Sequence, residues 1–253
     1  MHREPFVKLA PVFKDYLWGG EKLKALYGAD VTPVAEAWLL SAHPDGESVI
    51  AEGRYEGLTL REYLKAEDKK EDESPFPILI KLIDAAQTLS VQVHPGDEYA
   101  RARENDSGKN EMWLVLEAGP DAYLYAGFNR GVTREEVRRR VQDGTIEEIL
   151  NKIPTRAGDI VYIPAGTVHA IGAGNLILEV QQSSNATYRL YDYNRRGADG
   201  NLRPLHLSKA LDVLDYSQFA PSKSADERTA QCPYFGVSWH TVAGSLTLPV
   251  ADG

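Results

Sequence analysis

The sequence predicts a mainly β protein, a barrel or sandwich of short strands with a small helical insertion, and three observations carry that prediction. Short apolar or alternating runs recur along the chain, Gly, Pro and Asp punctuate them, and no glycine-rich phosphate loop is present. Strands joined by turns suit an all-β architecture better than a βαβ sheet, which needs a helix after almost every strand.

In chain order, the segments 37–40, 78–83, 89–94, 111–116, 122–126, 159–163 and 176–181 read as strands. The segment 59–64 reads as a short helix, and the charged run from Glu67 to Glu73 after it as a solvated loop. Thr133 and Glu136 form a Thr-x-x-Glu capping box, and Val137, Val141, Ile146, Ile149 and Leu150 follow near helical spacing. Gly144 splits this stretch into two short helices, and 207–214 reads as another. The polar stretch from Pro221 to Gln231 reads as a linker, and no internal repeat is visible.

At 253 residues and 43% hydrophobic content, the chain can bury one large core or two smaller ones. It has no apolar run of membrane-spanning length, and its start, Met1-His2-Arg3-Glu4-Pro5, lacks the charged-then-apolar pattern of a secretory signal. These features predict a cytoplasmic protein with no membrane partner. The single cysteine, Cys232, cannot form an internal disulfide and rules out a cysteine-based zinc site. A formal charge of −9 argues against a nucleic-acid partner, since phosphate backbones are bound by clustered Lys and Arg. An anionic small molecule stays open, because it needs only a local basic pocket.

A divalent metal site is the main chemical signal. Gln92 and His94 are two apart, so on a strand both side chains point to one face and place an amide oxygen beside an imidazole nitrogen. That pair suits a divalent cation such as zinc. Further on, a strand ends in Pro164-Ala165-Gly166 and is followed by His169; the glycine permits a positive φ, and the turn aims the histidine back. A lone histidine after an apolar strand is more often a hydrogen-bonded core group, and a lone Glu111 opening a strand is more often solvated. As an ordered set, Gln-x-His, a strand-opening Glu and Pro-x-Gly-x-x-His make up a two-part cupin signature, with glutamine in the usual first-histidine place. The expected ligands are Gln92, His94, Glu111 and His169.

The runs Leu89-Ser90-Val91-Gln92-Val93-His94-Pro95, Lys109-Asn110-Glu111-Met112-Trp113, Pro164-Ala165-Gly166-Thr167-Val168-His169-Ala170 and 179–189 resemble type I phosphomannose isomerases in their short bacterial form. So do Trp18-Gly19-Gly20 and 36–41 near the start. The resemblance implies that those four ligands hold one Zn2+ per chain. It implies interconversion of mannose 6-phosphate and fructose 6-phosphate, with a proton moved between C1 and C2 through an enediol. It also implies two cupin (jelly-roll) barrels, with helices near 133–153 inserted into the metal-binding one. Family members normally continue past Gly253. The expected organisation is therefore a catalytic cupin domain over 1–220, then a linker and the start of a second, incomplete barrel over 221–253. The expected partner is a small sugar phosphate, with the chain a monomer or weak homodimer.

Beyond the metal, Arg189 lies ten residues after Glu179 and matches the family's catalytic arginine; a guanidinium can fork onto an oxyanion or phosphate. Lys109 matches a pocket residue suited to proton transfer or to a substrate hydroxyl. Ser90 and Arg195 match phosphate-binding positions, and Glu179 matches an active-site carboxylate. Asn185 stands where relatives often carry Asp. An asparagine cannot act as an acid or base, so proton transfer falls to Glu179, Lys109 or metal-bound water. His43, His206 and His240 read as structural, and Cys232 as inert. Two other readings are a non-catalytic sugar-phosphate-binding cupin and a different metal-dependent cupin enzyme. An iron oxygenase would be one such enzyme, but it generally uses histidines with one carboxylate, which Gln92 fits poorly.

Overall fold

The computed structural model describes residues 6–67, 76–197, 200–220, 223–224 and 229–247. From the N-terminus the elements are β1 (Leu9–Ala10), β2 (Val12–Lys14), α1 (Lys22–Tyr27), β3 (Glu36–Leu40), β4 (Val49–Ile50), α2 (Leu60–Glu67), β5 (Ile78–Ala85), β6 (Val91–Val93), α3 (Asp97–Glu104), β7 (Glu111–Ala118) and β8 (Tyr123–Phe128). Then follow α4 (Arg134–Gln142), a 3-10 turn (Ile146–Ile149), β9 (Leu150–Pro154), β10 (Ile160–Ile163), β11 (His169–Ile171), β12 (Asn175–Gln182), β13 (Tyr188–Tyr191), α5 (Leu207–Val213), β14 (Lys223–Ser224), β15 (Thr229–Gln231) and β16 (Gly236–Ser238).

Two antiparallel sheets face each other. One has seven strands in the order β14-β10-β7-β12-β5-β3-β2, the other five in the order β13-β6-β11-β8-β9. Between them lies a core that takes Ile83, Trp113, Val161 and Ile177 from the first sheet and Leu124, Ala126 and Ile171 from the second. Leu82 and Leu176 point the other way and pack under Leu23 of α1. The central strands are thus covered on both faces, which is why β5 and β12 read as near-continuous apolar runs and not as alternating ones. The outer face of the smaller sheet packs Val91, Val93 and Leu190 against α4, the 3-10 turn and α5.

One half of the expected capping box forms, Glu136 N donating to Thr133 Oγ1 at 3.1 Å while the Glu136 carboxylate pairs with Arg130 and Arg140, and Gly144 breaks the helix at φ 69°. A second, reciprocal box opens α2: Glu62 N donates to Thr59 Oγ1 and Thr59 N to Glu62 Oε2. Three sequence expectations change. Leu150 and Ile153, read as the helix tail, lie on β9, because the strand's pairing with β8 outcompetes a chain that Gly144 has already turned. The stretch read as a linker carries β14, which extends the larger sheet beside β10, and β15, which pairs with β16. Helices α1 and α3 were not anticipated. Glu67 ends α2, and the rest of the charged run to Glu73 lies outside the described residues. Among the described residues, no helix is long and apolar enough to cross a membrane.

Candidate active site

The site forms where inward-facing rows of the two sheets meet. On the smaller sheet, Gln92 pairs in register with His169 on one side and with Arg189 on the other, so all three share a face. Glu111 opens β7 on the larger sheet. His94, Glu111 and His169 are buried, and their ligand atoms lie within 4.8 Å of one another. His94 Nε2 is 3.2 Å from Glu111 Oε1, and His169 Nε2 is 3.4 Å from Glu111 Oε2. Each ring is oriented through its other nitrogen: Nδ1 of His94 bonds the Ala186 carbonyl at 2.8 Å, and Nδ1 of His169 bonds the Thr167 carbonyl at 2.9 Å. Nδ1 therefore carries the proton, and the Nε2 lone pairs converge.

The 164–166 turn couples these groups. Gly166, at φ 85°, donates its N–H to the His94 carbonyl at 2.9 Å. Asn110 bonds the same turn through the Ala165 N–H and also accepts from Tyr162, while its amide and backbone N–H both donate to Gln182. Gln92 lies beside the group, its Nε2 3.4 Å from His169 Nε2 and its Oε1 accepting from Ser90 Oγ. A half-turn of this amide exchanges the two atoms and brings the oxygen to the centre.

These donors fit a cation. Glu111 Oε2 is buried without a hydrogen-bond partner. The Lys109 ammonium already rests on the group, contacting the Glu111 carboxylate and lying 3.1 Å from His94 Nε2. Burial, then the Lys109 charge, pushes the His94 pKa down to about 3, and burial lowers that of His169. Burial alone would raise Glu111, yet Lys109 and the two imidazoles together hold it well below the usual carboxylate range. Two neutral imidazoles and one carboxylate form a ligand set of metal type.

Glu179 lies beside them on β12. Trp113 Nε1 donates to its Oε2 at 2.9 Å, while Lys81 and Lys109 approach its Oε1 at 3.1 and 3.8 Å. Burial and the Glu111 charge push Glu179 up to about 7 against the pull of both lysines. Lys81 also reaches Glu36, at 3.5 Å. Sequence reading missed Lys81 and Glu36; the available signal was their presence in strands with apolar neighbours on both faces, where a charge must find a buried partner.

The arginines lie at the edge of the site. Arg189 Nη1 donates to the Pro204 carbonyl at 2.8 Å, its Nε is buried without a partner, and burial followed by the charge of Arg203 lowers its pKa. Arg195 bonds the Thr88 carbonyl at 2.6 Å and the buried carboxylate of Asp192, which also accepts from Arg203 at 3.2 Å. Asn185 turns its amide to Asp45 at 2.7 Å, a loop-to-loop contact. His43 sits between Asp45 and Asp106, His206 accepts from the Arg189 backbone N–H, and His240 contacts Ser238, all outside the ligand group. Cys232 is partly buried and bonds the Phe235 carbonyl.

Fold and site together define a two-sheet β protein with a buried His/Glu/His group whose ligand atoms are close enough to hold a cation. The family profile described as phosphomannose isomerase type I, catalytic domain, matches residues 6–127. Mannose-6-phosphate isomerase ManA of Bacillus subtilis strain 168 is 39% identical over 252 residues, spanning 94% of this chain and 80% of that protein. The mannose-6-phosphate isomerase of Streptococcus mutans is 43% identical over 246 residues, spanning 92% and 77%. The crystal structure of the Bacillus subtilis mannose 6-phosphate isomerase superposes with a TM-score of 0.79 at 35% identity, covering 91% of this chain and 74% of that one. The chain belongs to the type I phosphomannose isomerase family, and its fold is of the cupin type.

Proposed function

We infer that the protein is a mannose-6-phosphate isomerase, interconverting mannose 6-phosphate and fructose 6-phosphate. The observation that carries this is the buried His94/Glu111/His169 group with Glu179 and Lys109 against it, in a chain 39–43% identical to isomerases over most of its length. Gln92, His94, Glu111 and His169 would hold one zinc ion per chain, the metal the family resemblance implies. When bound there, the ion supplies an electrophile for the oxygen that gains charge as the enediolate develops.

The chain's own residues do the rest. Glu179 carries the proton between C1 and C2: a carboxyl near pH 7 is a strong enough base and can also return the proton. Lys109 donates to the substrate oxygen at the reacting end. Arg189, on the ligand row, adds positive charge near the enediolate. Ser90 and Arg195, at positions that match phosphate-binding ones in the family, would grip the phosphate on C6, so that remote binding energy positions the reacting carbons. The catalytic domain is read as residues 1–220 together with the edge strand β14, and the rest of the chain to 253 as the first strands of a second barrel-like unit, in keeping with the β15–β16 hairpin. All the groups named come from one chain, so a monomer or weak homodimer suffices, and the single cysteine fits the reducing cytoplasm.

The test is a coupled assay with mannose 6-phosphate, run with and without added zinc. Steady conversion supports the isomerase. Binding without turnover points to a sugar-phosphate sensor, and oxygen consumption to an oxygenase.

A further inference from the structure

On β13 the register shifts: Arg189 pairs with Gln92 and Tyr191 with Val91, so the strand carries one extra residue there. Such a bulge re-aims the side chains that follow it. Asp192, just past it, is buried, and its carboxylate lies between two guanidiniums. Arg195 Nη2 donates to Oδ1, and Arg203 Nη1 reaches Oδ1 and Oδ2 at 3.2 and 3.3 Å. The backbone brings the first arginine there. Tyr193 and Asn194 both sit at positive φ, 56° and 55°, and the Arg195 N–H closes a tight turn on the Asp192 carbonyl at 3.0 Å. A tyrosine rarely adopts that conformation, so the turn persists only because its surroundings hold it. The Thr88 carbonyl and the Tyr193 ring, 5.3 Å away, fix Arg195 further. Arg203 gives the carboxylate Nη1 alone, which leaves the rest of its fork for an anion. Arg189 is near enough to feel Arg195, Arg203 and Asp192, so the group sets three guanidiniums against one carboxylate. The two positive charges left over match a phosphate monoester near neutral pH.

We propose that Asp192 is a positioning residue for substrate binding: it clamps Arg195 and Arg203 side by side and aims both at the substrate phosphate, with Arg203 a second phosphate-binding residue. The inference rests on the assignment of the phosphate grip to Arg195. The sign of the effect separates aim from charge. Asp192 carries a negative charge into a site for a dianion, so on Coulombic grounds alone its removal strengthens phosphate binding. Positioning predicts the opposite. Without the carboxylate the two guanidiniums repel each other and swing apart, and the ligand must order both again on binding. Aim outweighs charge here because both arginines touch the carboxylate directly, and charge-assisted hydrogen bonds to phosphate oxygens depend on the direction of the fork.

The experiment uses the metal-loaded protein and its variants Asp192→Asn, Arg203→Met, Arg195→Ala and the Asp192→Asn/Arg203→Met double, each checked for bound zinc and for fold by circular dichroism. The probes are mannose 6-phosphate as substrate and mannitol 6-phosphate as inhibitor, which keeps the phosphate and lacks the carbonyl. Asp192→Asn is expected to raise KM and the inhibition constant together, each about tenfold, with kcat changed less than about threefold and zinc content unchanged. Arg203→Met should do the same. Added to Asp192→Asn, it should cost less than about threefold more, because residues acting as one unit are not additive. If Asp192→Asn fails to fold, Arg203→Met decides alone. Constants that stay level or fall in Asp192→Asn or Arg203→Met, beside a raised KM in Arg195→Ala, overturn the proposal. So does a loss confined to kcat, or a rise in KM that comes with loss of zinc. Unchanged constants in Arg195→Ala overturn instead the assignment of the phosphate grip to that arginine.

Discussion

Glu111 and His169 reach each other from opposite sheets: Glu111 opens β7 of the larger sheet, His169 opens β11 of the smaller, and Oε2 of one lies 3.4 Å from Nε2 of the other. A metal ion held between them would tie the sheets together and would bind the folded chain in preference to the unfolded one. Chelation is therefore expected to lower Tm by roughly 5–10 °C and to abolish turnover, with zinc restoring both. Glu111→Gln and His169→Ala should each fall well below one metal per chain by elemental analysis. Full activity in chelator, with no metal bound, would overturn this.

Phosphate binding and chemistry should separate in the arginines. Arg195→Ala is expected to raise KM about tenfold with a smaller loss in kcat, and Arg189→Ala mainly to lower kcat. Steady-state kinetics on mannose 6-phosphate checks both. Turnover of unphosphorylated mannose at a comparable rate would leave a phosphate grip without a purpose.

With Glu179 as the proposed base, the acid side of the pH profile is expected to follow its ionisation. Burial and Glu111 push it up to about 7, so lowering the pH below that value should protonate it and remove activity. A bound divalent ion nearby favours the ionised form and moves the limb to lower pH. The profile of kcat/KM should thus fall on the acid side with a midpoint at or below about 7. If residual turnover in Glu179→Gln keeps the same limb, the titrating group is another one.

Asn110 bonds the 164–166 turn, Tyr162 and Gln182 at once, almost out of solvent. Asn110→Ala leaves several buried groups unpaired and is expected to cost on the order of 2–3 kcal/mol in urea unfolding. Because the turn aims His169, metal affinity should fall too. A stable variant with normal affinity would show that the turn holds itself.

The buried His94, Glu111 and His169 group was legible in the sequence because His94 follows a strand, Glu111 opens one and a turn returns His169. The α4 capping box and the Gly144 break were legible for the same local reason. Lys81 and Glu36 were not. Their role depends on register across three strands, which no local period encodes. Helix α1 has no side-chain cap, and α3 opens at Gly96 and buries only Ala100, so neither left a local signature. The tail at Leu150 and Ile153 kept an apolar spacing that a helix and a strand can share, and only pairing with β8 decided between them.

The buried ionic set of Glu36, Lys81 and Glu179 sets a balance between durability and turnover. Ions between two sheets pack less favourably than hydrocarbon, and replacing a whole buried ionic set with apolar residues of similar volume often stabilises a protein, although removing one partner destabilises it. Selection of this chain for heat resistance alone would accordingly erode the middle of the larger sheet, turning Glu36, Lys81 and Glu179 together into an ordinary apolar interior. The survivors would be robust and inert, and only a screen that demands product would keep the charges.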